Sequence, residues 1–160
     1  MSAVRTMTLA DAAWPRAGLL SNALLVAGAS LLTALAAQAT VPVPWSPVPI
    51  TGQTFAVLLS GALLGARRGS LAQCLYLAAG AAGLPVFAAG GSGSITFLGP
   101  TGGYLLAFPL AAALTGTLAQ RGWDRRFATM MAAMLLASGV IFALGLAALA
   151  RFVPADRLLA

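Results

Sequence analysis

In this chain of 160 residues, 60% are hydrophobic and only 8% charged, whereas an average soluble domain has about a quarter charged. The charge is nine Arg and three Asp, with no Lys, Glu or His, which excludes a His-rich metal site and a buried acid/base pair. A net charge of +6 raises nucleic-acid binding, but the Arg residues form no basic patch interleaved with aromatics. They occur in small groups separated by long uncharged stretches, Ala17 to Ala66 and Gly69 to Gln120, the distribution of an all-α integral membrane protein that crosses the bilayer several times.

A spanning helix needs about 20 mainly apolar residues, because backbone polar groups in hydrocarbon must be paired within the segment. The first predicted span runs from about Gly18 to Thr40. It follows the basic stretch holding Arg5, Trp14, Pro15 and Arg16 and is too long for a signal-peptide core, so a retained helix is expected. Small residues at Ala23, Ala27, Ser30, Ala34 and Ala37 fall along one stripe of it. Such a stripe lets another helix come close, either inside the bundle or on a partner subunit. The segment Val41–Thr51 carries Pro42, Pro44, Pro47 and Pro49 and cannot be helical, since each Pro fixes φ and lacks an N–H.

The second predicted span, about Gly52 to Ala66, is short and stops at Arg67 and Arg68; the third covers about Gly69 to Phe87. Polar residues within the spans are few. Gln53 starts the second, and Gln73 and Tyr76 lie one turn apart in the third. Each is a candidate for meeting a ligand or for bonding a neighbouring helix. Cys74, in the apolar run LAQCLYL, is expected to pack and not to react. The Gly-rich connection Ala88–Gly102 lets the backbone approach a ligand or another chain. With Val41–Thr51 it forms a pair of connections flanked by Trp45, Phe55, Phe87, Phe97 and Tyr104, which suggests a lid over an apolar cavity; plain helix connection is the alternative. The fourth span covers about Gly103 to Gln120 and the fifth about Phe127 to Phe152.

Alternating the sides puts Arg5, Arg16, Arg67, Arg68, Arg121, Arg125 and Arg126 together, which assigns that side and the N-terminus to the cytoplasm. Arg151 and Arg157 fall on the opposite side with the two uncharged connections.

The run Val41 to Phe108, with PVPITxQ, YLxxGxxGLPVFA and GPTGGY in that order, resembles the BioY family of biotin-binding membrane subunits of energy-coupling-factor (ECF) vitamin transporters. The resemblance extends more weakly through the first and fifth helices. It implies a single membrane domain over residues 1–160, a six-helix fold of which five helices are visible, and function as the substrate-binding subunit for biotin uptake across the cytoplasmic (inner) membrane of a prokaryote. It further implies a biotin pocket near the outer face that involves Gln53, Tyr76, Tyr104 and the loop Gly90, Gly91, Ser92 and Gly93. In that loop a backbone contact is expected, because some relatives have an amide side chain where this chain has glycine and serine. Docking to an integral coupling subunit would use Ala23, Ala27, Ser30 and Ala34, with two cytosolic ATPases completing the transporter, although some members work without them. No G-x-x-x-x-G-K-[ST] loop is present, so ATP hydrolysis falls to partners; no cofactor or metal is expected.

In the family a sixth helix carries a PFxPGDxxK-like motif whose Asp and Lys hold biotin. FVPADRLLA, Phe152 to Ala160, resembles it only superficially, with Asp156 as the acid and Leu159 at the Lys position, and is expected to be part of an outer connector that precedes a missing helix. A subunit for another small vitamin and a truncated, non-binding remnant are the alternatives. An intramembrane enzyme lacks a nucleophile–base set here.

Overall fold

The computed structural model describes residues 7–13, 18–44 and 46–152. Arg5, Trp14, Pro15, Arg16, Trp45, Asp156 and Arg157, on which several sequence expectations rest, lie outside them. The described chain is mainly helical: α1 (Leu9–Ala13), α2 (Leu19–Gln38), α3 (Gln53–Ala81), α4 (Gly102–Ala119) and α5 (Phe127–Leu149). Three of these, α2, α4 and α5, are long and apolar enough to cross a membrane.

The second and third predicted spans form one element, α3, and the break between them lies at Gly65, ahead of Arg67 and Arg68. Gly65 has φ 82° and ψ 173°, far from helical values, a conformation open to residues without a Cβ. A straight helix would hold Gln53 and Tyr76 about 35 Å apart, yet Nε2 of Gln53 donates to the Tyr76 hydroxyl. A Cβ on Gly69 would stand 2.8 Å from Cα of Gly61. The chain therefore reverses at Gly65, and α3 is a hairpin of two limbs, residues 53–64 and 66–81. The first limb is about 18 Å long, short of the ~30 Å hydrocarbon core. The second ends at Ala81 and does not reach Phe87. Gly83 (φ 100°) donates to the Gly80 carbonyl and Leu84 to that of Ala79, the paired bonds of a Schellman stop, with Pro85 following.

Absent Cβ atoms also set the packing of α4. A Cβ on Gly61 would lie 2.3 Å from the Ala112 carbonyl oxygen, and one on Gly116 2.3 Å from the Ala66 nitrogen. Close helix approach of this kind is what holds bundles together where lipid offers no hydrophobic drive. The helices form a row in which α2 packs on α3, α3 on α4 and α4 on α5. The Pro-rich connection is tied at its base by a short antiparallel pair, Thr40 opposite Thr51 and Val41 opposite Ile50; α2 stops at Gln38, so Thr40, expected to end the first span, is a strand residue.

Two further expectations are corrected. Cys74 is exposed: it lies on the outer side of α3, while its neighbours Gln73 and Tyr76 face inward. The small-residue stripe of α2 does not act as one surface, because Ser30, Ala34 and Ala37 are buried within this chain while Ala23 and Ala27 are exposed. Any docking surface for a partner is thereby left to the Ala23–Ala27 part of the stripe.

Candidate functional site

The two ends of the bundle differ in chemistry. At one end, the Gly65 turn meets Gly116 and Gln120 near the end of α4, which gathers Arg67, Arg68, Arg121, Arg125 and Arg126. The N-terminal segment docks there. Thr8 caps α1: its hydroxyl accepts from the Asp11 amide at 3.3 Å and the Asp11 carboxylate accepts from the Thr8 amide at 3.3 Å, a T-x-x-D variant of the capping box, with the Thr8 hydroxyl also donating to that carboxylate at 2.9 Å. Arg68 pairs with Asp11 at 2.7 Å. Partial burial pushes the Asp11 carboxyl up, but the hydrogen bonds from Arg68 and Thr8 outweigh this and hold it below the ordinary carboxylate value.

At the other end α3 starts beside the strand pair, with the Gly52 N–H on the Ala39 carbonyl. Gln38 of α2 donates to the Phe87 carbonyl at 3.2 Å, which ties the Gly-rich connection to α2. Phe87 itself is buried in a space that exists because Gly80 has no side chain. Its ring meets Tyr76 and Phe97 edge-on at 5.5 and 5.6 Å, the favoured arrangement for aromatic pairs.

These elements enclose a cavity of about 480 Å³, within the ~300–1,000 Å³ usual for small-molecule sites. The Pro-rich connection contributes Val43, Ser46, Val48, Pro49, Ile50 and Thr51; α3 adds Gln53 and Thr54. Phe87 lines it too, with Ala88, Ala89, Gly91, Thr96 and Thr101 of the Gly-rich connection after it, and α4 and α5 supply Tyr104, Leu105, Phe108, Ile141 and Phe142. No described lining residue is charged. The walls are apolar, with a few hydroxyls and one amide to orient a ligand.

Of the candidates named from sequence, Gln53, Gly91 and Tyr104 line this cavity. Tyr76 does not: it is 1% exposed and stands behind Gln53, with its hydroxyl on the Val86 carbonyl at 3.1 Å. Gly90, Ser92 and Gly93 lie outside the lining, as does Phe55, which is exposed. Positive φ values in this connection belong to Ala89, Gly90 and Gly93, while Gly91 has φ −60° and a Cβ there would stand 3.2 Å from the Ala88 carbonyl oxygen. Gln73 makes a different contact, donating to Thr33 at 3.2 Å and Ser60 at 2.9 Å and so joining α2 to both limbs of α3. Sequence reading missed Thr101, Leu105 and Phe108, although with Tyr104 they follow the i, i+3, i+4, i+7 spacing of one helix face. It also missed Ile141 and Phe142, for which uniformly apolar α5 gives no facial signal.

Comparison with known proteins bears directly on this arrangement. The BioY family model matches residues 6–159. This chain belongs to the BioY family. It is 43% identical over 118 residues to the biotin transporter BioY of Thermotoga maritima, covering 73% of this chain and 69% of that protein. It is 42% identical over 129 residues to the probable biotin transporter BioY of Pyrococcus horikoshii, covering 81% and 74%. A crystal structure of the biotin S-component of an ECF-type ABC transporter superposes with a TM-score of 0.75 at 25% identity, covering 88% of this chain and 78% of that one. The three BioY-like runs, far apart in sequence, converge here: Pro49–Gln53, Phe87 with its successors, and Thr101–Tyr104 all border the same cavity.

Proposed function

We propose that this BioY family member is the substrate-binding membrane subunit for biotin uptake, acting as a carrier component and not as an enzyme, and that biotin occupies the cavity at the end of the bundle formed by the Pro-rich and Gly-rich connections. The convergence of the three BioY-like runs on one apolar cavity carries this reading, and the names of the relatives and of the superposing structure support it. Gln53, Tyr104 and the Gly91 backbone are the proposed contacts, with Tyr76, Gly90, Ser92 and Gly93 supporting them from behind. The proposed topology is five passes within one membrane domain, two of them the limbs of the α3 hairpin, of which the first, about 18 Å long, covers only part of the hydrocarbon core, with the Arg-bearing end and the N-terminus on the cytoplasmic side of the inner membrane. Proposed partners are a coupling subunit, reached through Ala23 and Ala27 of α2, and two cytosolic ATPases.

Biotin also carries a carboxylate, and a buried carboxylate needs charged or strongly donating partners. None of the described lining residues is charged, so the Asp and Lys that the resemblance places on a sixth helix are expected to be needed for tight retention. The test is retention of radiolabelled biotin by membranes carrying the chain, alone and with a family-type sixth helix appended. Weak retention that rises with the added helix is expected. Failure of both forms to retain biotin would overturn the proposal.

A further inference from the structure

Building on the biotin reading above, we propose that Tyr76 is a positioning residue that holds the Gln53 side-chain amide in one orientation, so that Gln53 offers one N–H donor and one carbonyl lone pair to the ureido ring of biotin. The Val86 main-chain oxygen only accepts, so the single Tyr76 proton is given to it, at 3.1 Å. The Tyr76 oxygen therefore has only lone pairs for Gln53, and the end of the amide that touches it must be Nε2–H. At the other end the Thr51 hydroxyl donates to Oε1 at 3.1 Å. A flipped amide would set its carbonyl against the lone pairs of Tyr76. Water does not compete for these contacts, because Gln53 is 5% and Tyr76 1% exposed.

A carboxamide has two N–H groups and two carbonyl lone pairs. Tyr76 takes one N–H and Thr51 one lone pair, which leaves one of each on a residue that lines the cavity. A cyclic urea, with a carbonyl acceptor flanked by N–H donors, is the complementary partner. Tyr76 lies outside the lining and acts through Gln53.

The test compares how biotin and 2-iminobiotin, whose ureido carbonyl is replaced by a protonated imine that only donates, compete for radiolabelled biotin on membranes carrying the full chain. Wild type should prefer biotin. Tyr76→Phe should weaken biotin roughly tenfold, the equivalent of one hydrogen bond, while changing 2-iminobiotin little, so that the preference shrinks. Gln53→Met should shrink it likewise. Equal weakening of both compounds by Tyr76→Phe would mean a packing role and overturn the proposal. A ligand-free measurement decides the Tyr76–Gln53 link by itself: in ¹⁵N-labelled protein one Gln53 side-chain N–H should exchange slowly and lose that protection in Tyr76→Phe, and unchanged protection overturns the link. Membranes that bind neither compound, both with the chain alone and with the appended sixth helix, overturn the biotin reading and the ureido assignment with it.

Discussion

Gly61→Ala puts a methyl group where α3 and α4 touch backbone to backbone. Its Cβ would stand 2.3 Å from the Ala112 carbonyl oxygen and 3.0 Å from Ala112 Cα, and ordinary van der Waals contact begins at 3.4 Å. The helices would have to part by roughly 1.1 Å (3.4 − 2.3) at a contact made by main chain on both sides, where no rotamer change can absorb it. Overpacking of this kind costs about 1–3 kcal/mol, partly offset by the ~0.5–1 kcal/mol that alanine gains over glycine within a helix. The net expectation is a loss of up to about 2.5 kcal/mol. Gly28 and Gly139 supply the contrast, because a Cβ at either meets nothing within 4 Å; alanine there should stabilise by up to about 1 kcal/mol. Unfolding in mixed detergent micelles, followed by far-UV circular dichroism, compares the three variants with wild type. If Gly61→Ala is as stable as Gly28→Ala, the close approach of α3 and α4 is not what holds this pair together.

Gly102→Ala would place its Cβ 2.0 Å from the Phe97 carbonyl oxygen, so it should displace the aromatic contact with Phe87 and reduce biotin retention, whereas Arg151→Ala, on the exposed end of α5, should leave retention unchanged. Ala34→Leu should destabilise the fold, because Ala34 packs in the core, while Ala27→Leu should fold normally and impair only association with a coupling subunit, measured by co-purification; normal association would remove the docking role of Ala27. The Asp11 carboxyl is held below its unfolded value of 3.8, so its pair with Arg68 stabilises at neutral pH and that contribution disappears as pH falls below about 4. Asp11→Asn should therefore be slightly less stable than wild type at pH 7, by ~0.2–1 kcal/mol for a partly exposed pair, and the difference should shrink as pH falls below about 4; a difference that does not shrink in acid would refute the assignment. Single cysteines in a Cys74→Ser background should react with an impermeant thiol reagent in intact cells at Ser46 and not at Arg125, and the reverse pattern would invert the proposed orientation.

Hydropathy alone located α2, α4 and α5 within a few residues, since a bilayer demands long apolar helices with internally paired backbones. The prolines of Val41–Thr51 and the grouping of seven of the nine Arg residues likewise distinguished an Arg-rich end from the end that carries the two uncharged connections. The run of motifs named the family, and Gln53, Gly91 and Tyr104 were legible as cavity candidates on that basis. Facing was not legible. In helices that are apolar all round, periodicity carries no sign of which side meets protein and which meets lipid, so the outward turn of Cys74, the split of the α2 stripe and the lining roles of Ile141 and Phe142 were settled only by packing. Gly65 looks like any other glycine in sequence; its left-handed φ follows from the need to bring Gly61 against Gly69 and Gln53 against Tyr76. The Thr51–Gln53–Tyr76–Val86 chain of hydrogen bonds spans residues that composition treats as unrelated, and only the reversal of α3 brings their donors and acceptors within reach.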